Sequence, residues 1–284
     1  MQNYIGINSQ LFRVLNSTPN EIILFNPITN TSFQCSFNGE CWFIGSTQVS
    51  PIPFSITIKG RVRVGKYNYK TQKEPSTEGY TNVLIHTSGE LSPYTMRDSN
   101  GTIMENAWQF SKLWEQVPAQ RQPVSMYQSD QIRWEHPAEL HYLNGQLTDE
   151  YWNWKAKGFA HSKWVRYPAG FHNHKKCLGS VYVTNGKYSI LDYITARKLI
   201  YVPKYKEIAI TTNQFQLLKQ MIESGQNIQI NEVDGPTFEE IYPYNQVVNA
   251  SIEVNPETLY YLLNSEKQAF GHGYTLAGCL LGFL

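Results

Sequence analysis

"MENAWQFSKLWEQV", residues 104–117, is the stretch on which the fold class turns. Read at about 100° per residue, Ala107, Phe110 and Trp114 share one side, while Glu105, Gln109 and Lys112 fall within about 60° of one another on the other, with Trp108 at the margin. This spacing predicts one amphipathic helix with a packing face and a polar face. Two features distinguish that polar face from a solvated stripe. Trp108 is large and apolar for such a position, and the seven-residue step leaves Glu105 and Lys112 roughly 10 Å apart along the axis, too far for an i,i+4 ion pair. A sugar fits that gap.

The helical pattern continues in "DEYWNWKAKGF" (149–159), "YSILDYITARKLIY" (188–201), "TTNQFQLLKQMIESG" (211–225), "NPETLYYLLNS" (255–265) and "YTLAGCLLGFL" (274–284). Toward the N-terminus the character changes. Residues 20–70 carry short β-like runs, "EIILF", "TSFQCSF", "CWFIG" and "FSITIKGRVRVG", separated by Pro, Asn and Gly, and predict a small antiparallel sheet. The polar "TQKEPSTEG" (71–79) reads as an exposed loop and "YTNVLIHT" (80–87) as a buried strand. The expected class is therefore α+β: a mainly α-helical core over 79–284, with a β-rich extension over 1–78 packed on it.

Composition bounds the function. With 284 residues, 41% of them hydrophobic and 14% aromatic, the chain can bury a real core and is not a disordered segment. Its 24 Lys and Arg against 23 Asp and Glu leave a net charge of +1, so any contact with nucleic acid must be local. The opening "MQNYIGINSQLFRVLNS" lacks a basic segment followed by a long apolar run, and no stretch approaches the roughly 18 apolar residues of a membrane span. A cytoplasmic protein without a membrane partner is expected. Cys35, Cys41, Cys177 and Cys279 have no C-x-x-C spacing. Asn38-Gly39 suggests a two-residue type I′ turn that sets Cys35 opposite Trp42 and Cys41 opposite Ser36, so free thiols are expected.

Four blocks then carry a family resemblance. "GELSPYTMRDSNGTIMENAWQFSK" (89–112), "ARKLIYVPKY" (196–205), "GQNIQINEVDGP" (225–236) and "GHGYTLAGCLLG" (271–282) resemble, in order, the blocks of the NADAR family, also called YbiA-like. In that family an L-S-P/N element and a D-G turn precede a helix bearing Glu and, seven residues on, Lys. The chain departs from small members in having "DGPTFEE" where they carry Trp-Gly and "GHGY" where they carry Gly-x-Asn.

The resemblance implies a YbiA-like core and N-glycosidic chemistry at C1 of a ribose. Some members act on phosphoribosylamino-pyrimidine intermediates of riboflavin synthesis; others strip ADP-ribose from guanine in DNA, reversing a toxin. Glu105 suits the acid that protonates the departing nitrogen or ring oxygen, and the Lys112 amine suits the nucleophile that holds the opened sugar as a Schiff base. Asp234 or Glu232 suits the water that releases the sugar; Asp234 is favoured because Gly235-Pro236 makes a tight turn behind it. Substrate contacts are assigned to Ser92, Trp108, Gln109, Trp154, Arg197, Glu232, Gly271, His272 and Tyr274.

Within that set, Arg197 in "TARKLIY" suits phosphate, and either Trp152 or Trp154 suits base stacking. Gly271 and Gly273 suit either a phosphate at the following helix N-terminus or a plain turn. His172-x-His174 lacks a third ligand, so no metal and no cofactor is expected. The aromatic and basic additions over 134–206 favour ADP-ribosylated DNA as substrate, an activity suited to a phage or an antitoxin. The alternatives are a small phosphoribosyl intermediate, or an ADP-ribose-binding module without chemistry.

Overall fold

The computed structural model describes residues 4–7, 10–18, 20–26, 31–49, 55–56, 60–117, 139–165, 177–236 and 247–284. The chain begins with strands β1 (Tyr4–Ile7), β2 (Gln10–Thr18), β3 (Glu21–Asn26), β4 (Thr31–Phe37), β5 (Trp42–Ile44), β6 (Thr47–Val49), β7 (Ser55–Ile56), β8 (Val62–Lys66) and β9 (Tyr80–Leu84). Helix α1 (Met104–Gln109) leads into β10 (Lys112–Trp114) and β11 (Gln116–Val117). Next come β12 (Glu139–Leu140), β13 (Tyr142–Leu143), β14 (Gln146–Leu147), α2 (Asp149–Ala160), β15 (Cys177–Thr184) and β16 (Lys187–Leu191). After α3 (Tyr193–Ala196) follow a π-helical turn (Arg197–Tyr201), α4 (Val202–Ala209) and α5 (Asn213–Glu223). The last elements are β17 (Asn227–Glu232), β18 (Ser251–Glu253), α6 (Pro256–Asn264) and α7 (His272–Leu281).

Strand makes up 33% and helix 31%, which overturns the expectation of a mainly helical core: the fold is mixed, with several antiparallel sheets. Two segments read as helix contribute to the difference. Residues 110–117 and 188–191 carry helical periodicity, yet they form β10, β11 and β16.

The chain divides into two compact units, residues 1–85 with 213–284, and residues 86–212. In the first unit, seven antiparallel strands lie in the order β6-β5-β4-β3-β2-β1-β7. Period-two alternation turns Ile22 and Leu24 of β3 and Cys35 of β4 into a core with Phe12 and Val49. The hairpin between β4 and β5 differs from the expected one. Phe37 pairs with Trp42 and Cys35 with Ile44, so four residues form the loop instead of two. The Asn38 side chain is the reason: its Oδ1 accepts from the amides of Glu40 at 3.0 Å and Cys41 at 2.8 Å, closing a wider turn. All four cysteines are free thiols.

The same unit holds a second sheet, β18-β8-β17-β9, in which β17 runs parallel to β8 and to β9 while β18 is antiparallel to β8. Strands β8 and β17 are buried along nearly their whole length, as strands covered on both faces are. Strand β9 is an edge with a largely exposed pattern, not the buried strand its apolar residues suggest. Ile228, Ile230 and Glu232 share one face of β17, where α5 and α7 pack; Gln229 and Asn231 share the other. On that second face the loop before β9 satisfies the amides: Gln229 Nε2 and Asn231 Nδ2 donate to the Pro75 carbonyl at 2.6 and 3.1 Å.

In the second unit, β10, β15 and β16 form an antiparallel sheet beside α2. Its core joins Phe110, Leu113, Trp114, Tyr151, Trp154, Val165 and Val181. Helix α2 begins where expected because Thr148 caps it, accepting from the Tyr151 amide. Strand β16 is stopped by Asp192, whose carboxylate accepts from the Thr195 amide at 2.8 Å and thereby starts α3.

Candidate functional site

Glu105 is placed by the loop before it. Ser92 is fully buried; its Oγ donates to the His86 carbonyl at 2.7 Å and accepts from the Tyr94 amide at 3.3 Å. These bonds shape the 91–96 turn, so Ser92 acts here as a turn former. The Pro93 carbonyl then accepts from the Glu105 amide at 2.9 Å, and the Asp98 carboxylate closes the "DSNG" turn through the Asn100 and Thr102 amides at 2.9 Å each. Asn106, also fully buried, ties α1 to the 161–165 segment: its Oδ1 accepts from the Val165 amide at 2.7 Å and its Nδ2 donates to the Lys163 carbonyl at 3.0 Å.

Helix α1 ends at Gln109, so Lys112 does not lie on it. Three contacts end the helix. The Phe110 ring packs on Trp154 with centroids 4.5 Å apart, and it sits so close to α2 that a Cβ at Gly158 would come within 2.1 Å of it. Ser111 Oγ donates to the Trp108 carbonyl at 2.8 Å, and the Val181 amide donates to the Ser111 carbonyl at 2.7 Å, which starts the pairing of β10 with β15. A bulge between Leu113 and Trp114 turns both of these side chains into the core, while Lys112 remains half-buried.

The three polar residues nevertheless meet. Lys112 Nζ donates to Gln109 Oε1 at 3.0 Å, and Gln109 Nε2 donates to Glu105 Oε1 at 2.8 Å. Glu105 and Gln109 are 7% and 6% exposed, so this chain is held mostly out of water. Gln109 is oriented by its neighbours: the carboxylate takes the NH₂ end and the lysine takes the carbonyl end. Lys112 Nζ also lies 5.5 Å from the Trp108 ring centroid.

Behind Trp108 stands the segment from α3 through the π-helical turn. Tyr193 and Arg197 are one α-helical step of four apart, and the Arg197 guanidinium lies 4.5 Å from the centroid of the Tyr193 ring. Four residues overshoot an α-turn but fall short of a π-turn, so the wider turn brings Tyr201 back into line with Tyr193. Trp108 packs against both, at 6.5 Å from Tyr193 and 5.3 Å from Tyr201. Arg197 is 1% exposed, so its guanidinium backs an aromatic ring instead of reaching into solvent for a phosphate.

Trp154 is fully buried, packed by Phe110, Tyr151 and His141, and offers no face to a base. In the same cluster, burial pushes the His141 imidazole down to about 4.

In the other unit, Glu232, Asp234, Gly271, His272 and Tyr274 form a second cluster. Glu232 ends β17, fully buried, and its carboxylate stands at the N-terminus of α7. A Cβ at Gly271 would lie 2.4 Å from Glu232 Oε2 and one at Gly273 2.7 Å from Oε1, so both glycines are needed for that approach. The helix terminus is thus already occupied by a carboxyl group of the chain itself, and a phosphate is not needed there. His272 Nδ1 is 3.3 Å from Glu232 Oε2, and its Nε2 is 3.3 Å from the Ile85 carbonyl. Tyr274 is fully buried, with its hydroxyl lacking a hydrogen-bond partner among the described residues. Asp234 is exposed in the turn after β17.

Burial pushes the Glu232 carboxyl above its ordinary value of 4.5 and the nearby Asp234 adds to this; His272 and the amides of Gly273 and Tyr274 oppose it without reversing it. The consequence for stability has a definite sign. Below the ordinary value both folded and unfolded chains carry the proton; above it the unfolded chain ionises first, and stability falls by up to about 1.4 kcal/mol per pH unit until the folded carboxyl ionises too. Urea unfolding at pH values rising from the ordinary carboxyl value of 4.5 should therefore show the native chain losing stability relative to Glu232→Gln. Parallel profiles for the two would refute the shift.

Among the described residues, no group of three or more His, Cys, Asp or Glu is arranged to hold a metal ion. His172 and His174 lie outside the described residues. Within the described residues no helix is long and apolar enough to cross a membrane. Comparison with protein-family models, with curated proteins and with solved structures finds no match. Sequence reasoning missed Tyr193, Tyr201 and Asn106. A signal for the first two was present: Tyr193, Arg197 and Tyr201 recur every fourth residue.

Proposed function

We propose that this chain is an N-glycosidase that removes ADP-ribose from guanine in DNA, with Lys112 as nucleophile and Glu105 as acid. The observation that carries the reading is the Lys112–Gln109–Glu105 chain: an amine and a largely buried carboxylate joined through one amide, beside an aromatic ring. The two groups serve different tasks. The Lys112 nitrogen bonds to C1 as the bond from C1 to the base breaks, and Glu105 delivers the proton that the departing nitrogen needs. The ring oxygen then leaves C1, taking a proton, and the sugar is held as an imine. Water adds to that carbon, the amine departs and the free sugar is released. Gln109 keeps the amine and the acid in fixed register throughout.

The test is incubation with ADP-ribosylated DNA and, separately, with phosphoribosylamino-pyrimidine intermediates, followed by mass spectrometry. Release of guanine-bearing DNA and ADP-ribose is expected from the first. Borohydride added during turnover should reduce the imine to a stable amine on the peptide containing "FSKLWEQ" (110–116). Lys112→Ala should abolish that adduct and Lys198→Ala should leave it. Release from the pyrimidine intermediates alone would transfer the reading to a small substrate; release from neither would overturn it. Turnover by Lys112→Ala would exclude the covalent route.

A further inference from the structure

We propose that Tyr193 is the platform on which the substrate's base stacks, and that it selects a purine N-riboside over a pyrimidine one. The inference rests on the glycosidase reading of the Glu105–Lys112 site. It starts from an unusual combination. Tyr193 is 47% exposed, yet its ring is anchored from inside the fold by the guanidinium of Arg197, which is 1% exposed and lies 4.5 Å from the ring centroid. The backbone beneath it is fixed as well. Asp192 caps α3 through the Thr195 amide and accepts from the Thr195 hydroxyl at 2.6 Å, so Tyr193 stands at the first position of a pinned helix.

An exposed aromatic ring on a rigid backbone loses little entropy when a flat partner covers it. A cation against a tyrosine ring draws on its π density, which favours stacking of an electron-rich base on the remaining exposed surface. Purines present more ring area than pyrimidines, so the platform discriminates by size without any hydrogen bond to the base edge. Trp108 neighbours both this ring and the amine, its ring centroid 6.5 Å from that of Tyr193 and 5.5 Å from Lys112 Nζ. A base on Tyr193 therefore stands one aromatic ring from the nucleophile. Of the two tryptophans suited to stacking, Trp154 is closed off in the core and Trp152 is partly buried against the same core cluster.

Binding of guanosine 5′-monophosphate, uridine 5′-monophosphate and ribose 5-phosphate to the full chain, measured by calorimetry, tests the proposal. Guanosine monophosphate should bind the native chain more tightly than the other two. Tyr193→Leu should weaken guanosine monophosphate about 5- to 150-fold while ribose 5-phosphate stays as in the native chain, and Tyr193→Phe should restore the purine preference. Equal affinity for the two nucleotides, or a purine preference that survives Tyr193→Leu, would overturn the platform. The borohydride experiment decides the chemistry separately: an adduct on Lys112 without Tyr193-dependent base discrimination rejects the platform alone, whereas discrimination without any turnover rejects the glycosidase.

Discussion

Glu105→Gln is expected to slow release of the base by about 10²- to 10⁴-fold while leaving the fold intact. Glutamine has the size of glutamate, and its side-chain carbonyl can still accept from Gln109 Nε2, so the chain to Lys112 keeps its geometry. What disappears is the proton. A departing base nitrogen without a proton donor is a poor leaving group, and no other substitution in the chain isolates that loss so cleanly. Single-turnover kinetics with the substrate identified by mass spectrometry, alongside urea unfolding, separates the two effects. Turnover within about threefold of the native rate would remove Glu105 from the mechanism. A loss of several kcal/mol in unfolding free energy would assign it to structure instead.

Trp154→Ala is expected to cost about 3–5 kcal/mol of stability, as removal of a large core aromatic does, against a total of roughly 5–15 kcal/mol for a typical domain. The ring is fully buried and touches Phe110, Tyr151 and His141. The cavity has a further consequence for the site. Phe110 stands between the end of α1 and the start of β10, so loss of its support loosens the register between Gln109 and Lys112. Activity should fall in this variant although Trp154 touches none of the proposed catalytic groups. Trp154→Phe, which keeps a ring, should recover much of both. Urea unfolding decides the matter: a cost under about 1 kcal/mol would contradict this account of the core.

Glu105, Gln109 and Lys112 show how a grouping of side chains can be legible when its scaffold is not. The three residues read as one group on a helical wheel, and they do meet, but Lys112 reaches Gln109 from a strand. The agreement comes from chain proximity: three residues after Gln109, a lysine side chain is long enough to return to it from either backbone. Trp154 gives the opposite case. As an aromatic residue near basic ones it suits a nucleobase site, but the faces of α2 are allotted by what packs against them. The one bearing Tyr151, Trp154 and Gly158 went to the core. The contact of Arg197 with the Tyr193 ring is likewise not local to either residue, since it needs the α3 turn in place.

What the sequence by itself determined is local: where α2, α5, α6 and α7 run, and how they are punctuated. Thr148 and Asn255 accept from their helix amides, Pro256 opens α6, and Gly282 closes α7 in the left-handed conformation at φ 73°. These signals act within a turn or two of the residue that carries them. Tertiary structure decided the rest, including whether residues 110–117 and 188–191 became helix or strand. Their helical periodicity lost to partners distant in sequence: β15 pairs with β10 on one side and β16 on the other, and Phe110 fills the space that Gly158 leaves open on α2. A strand is stabilised by hydrogen bonds to another strand, and which segment will supply them is not written in the periodicity of either one.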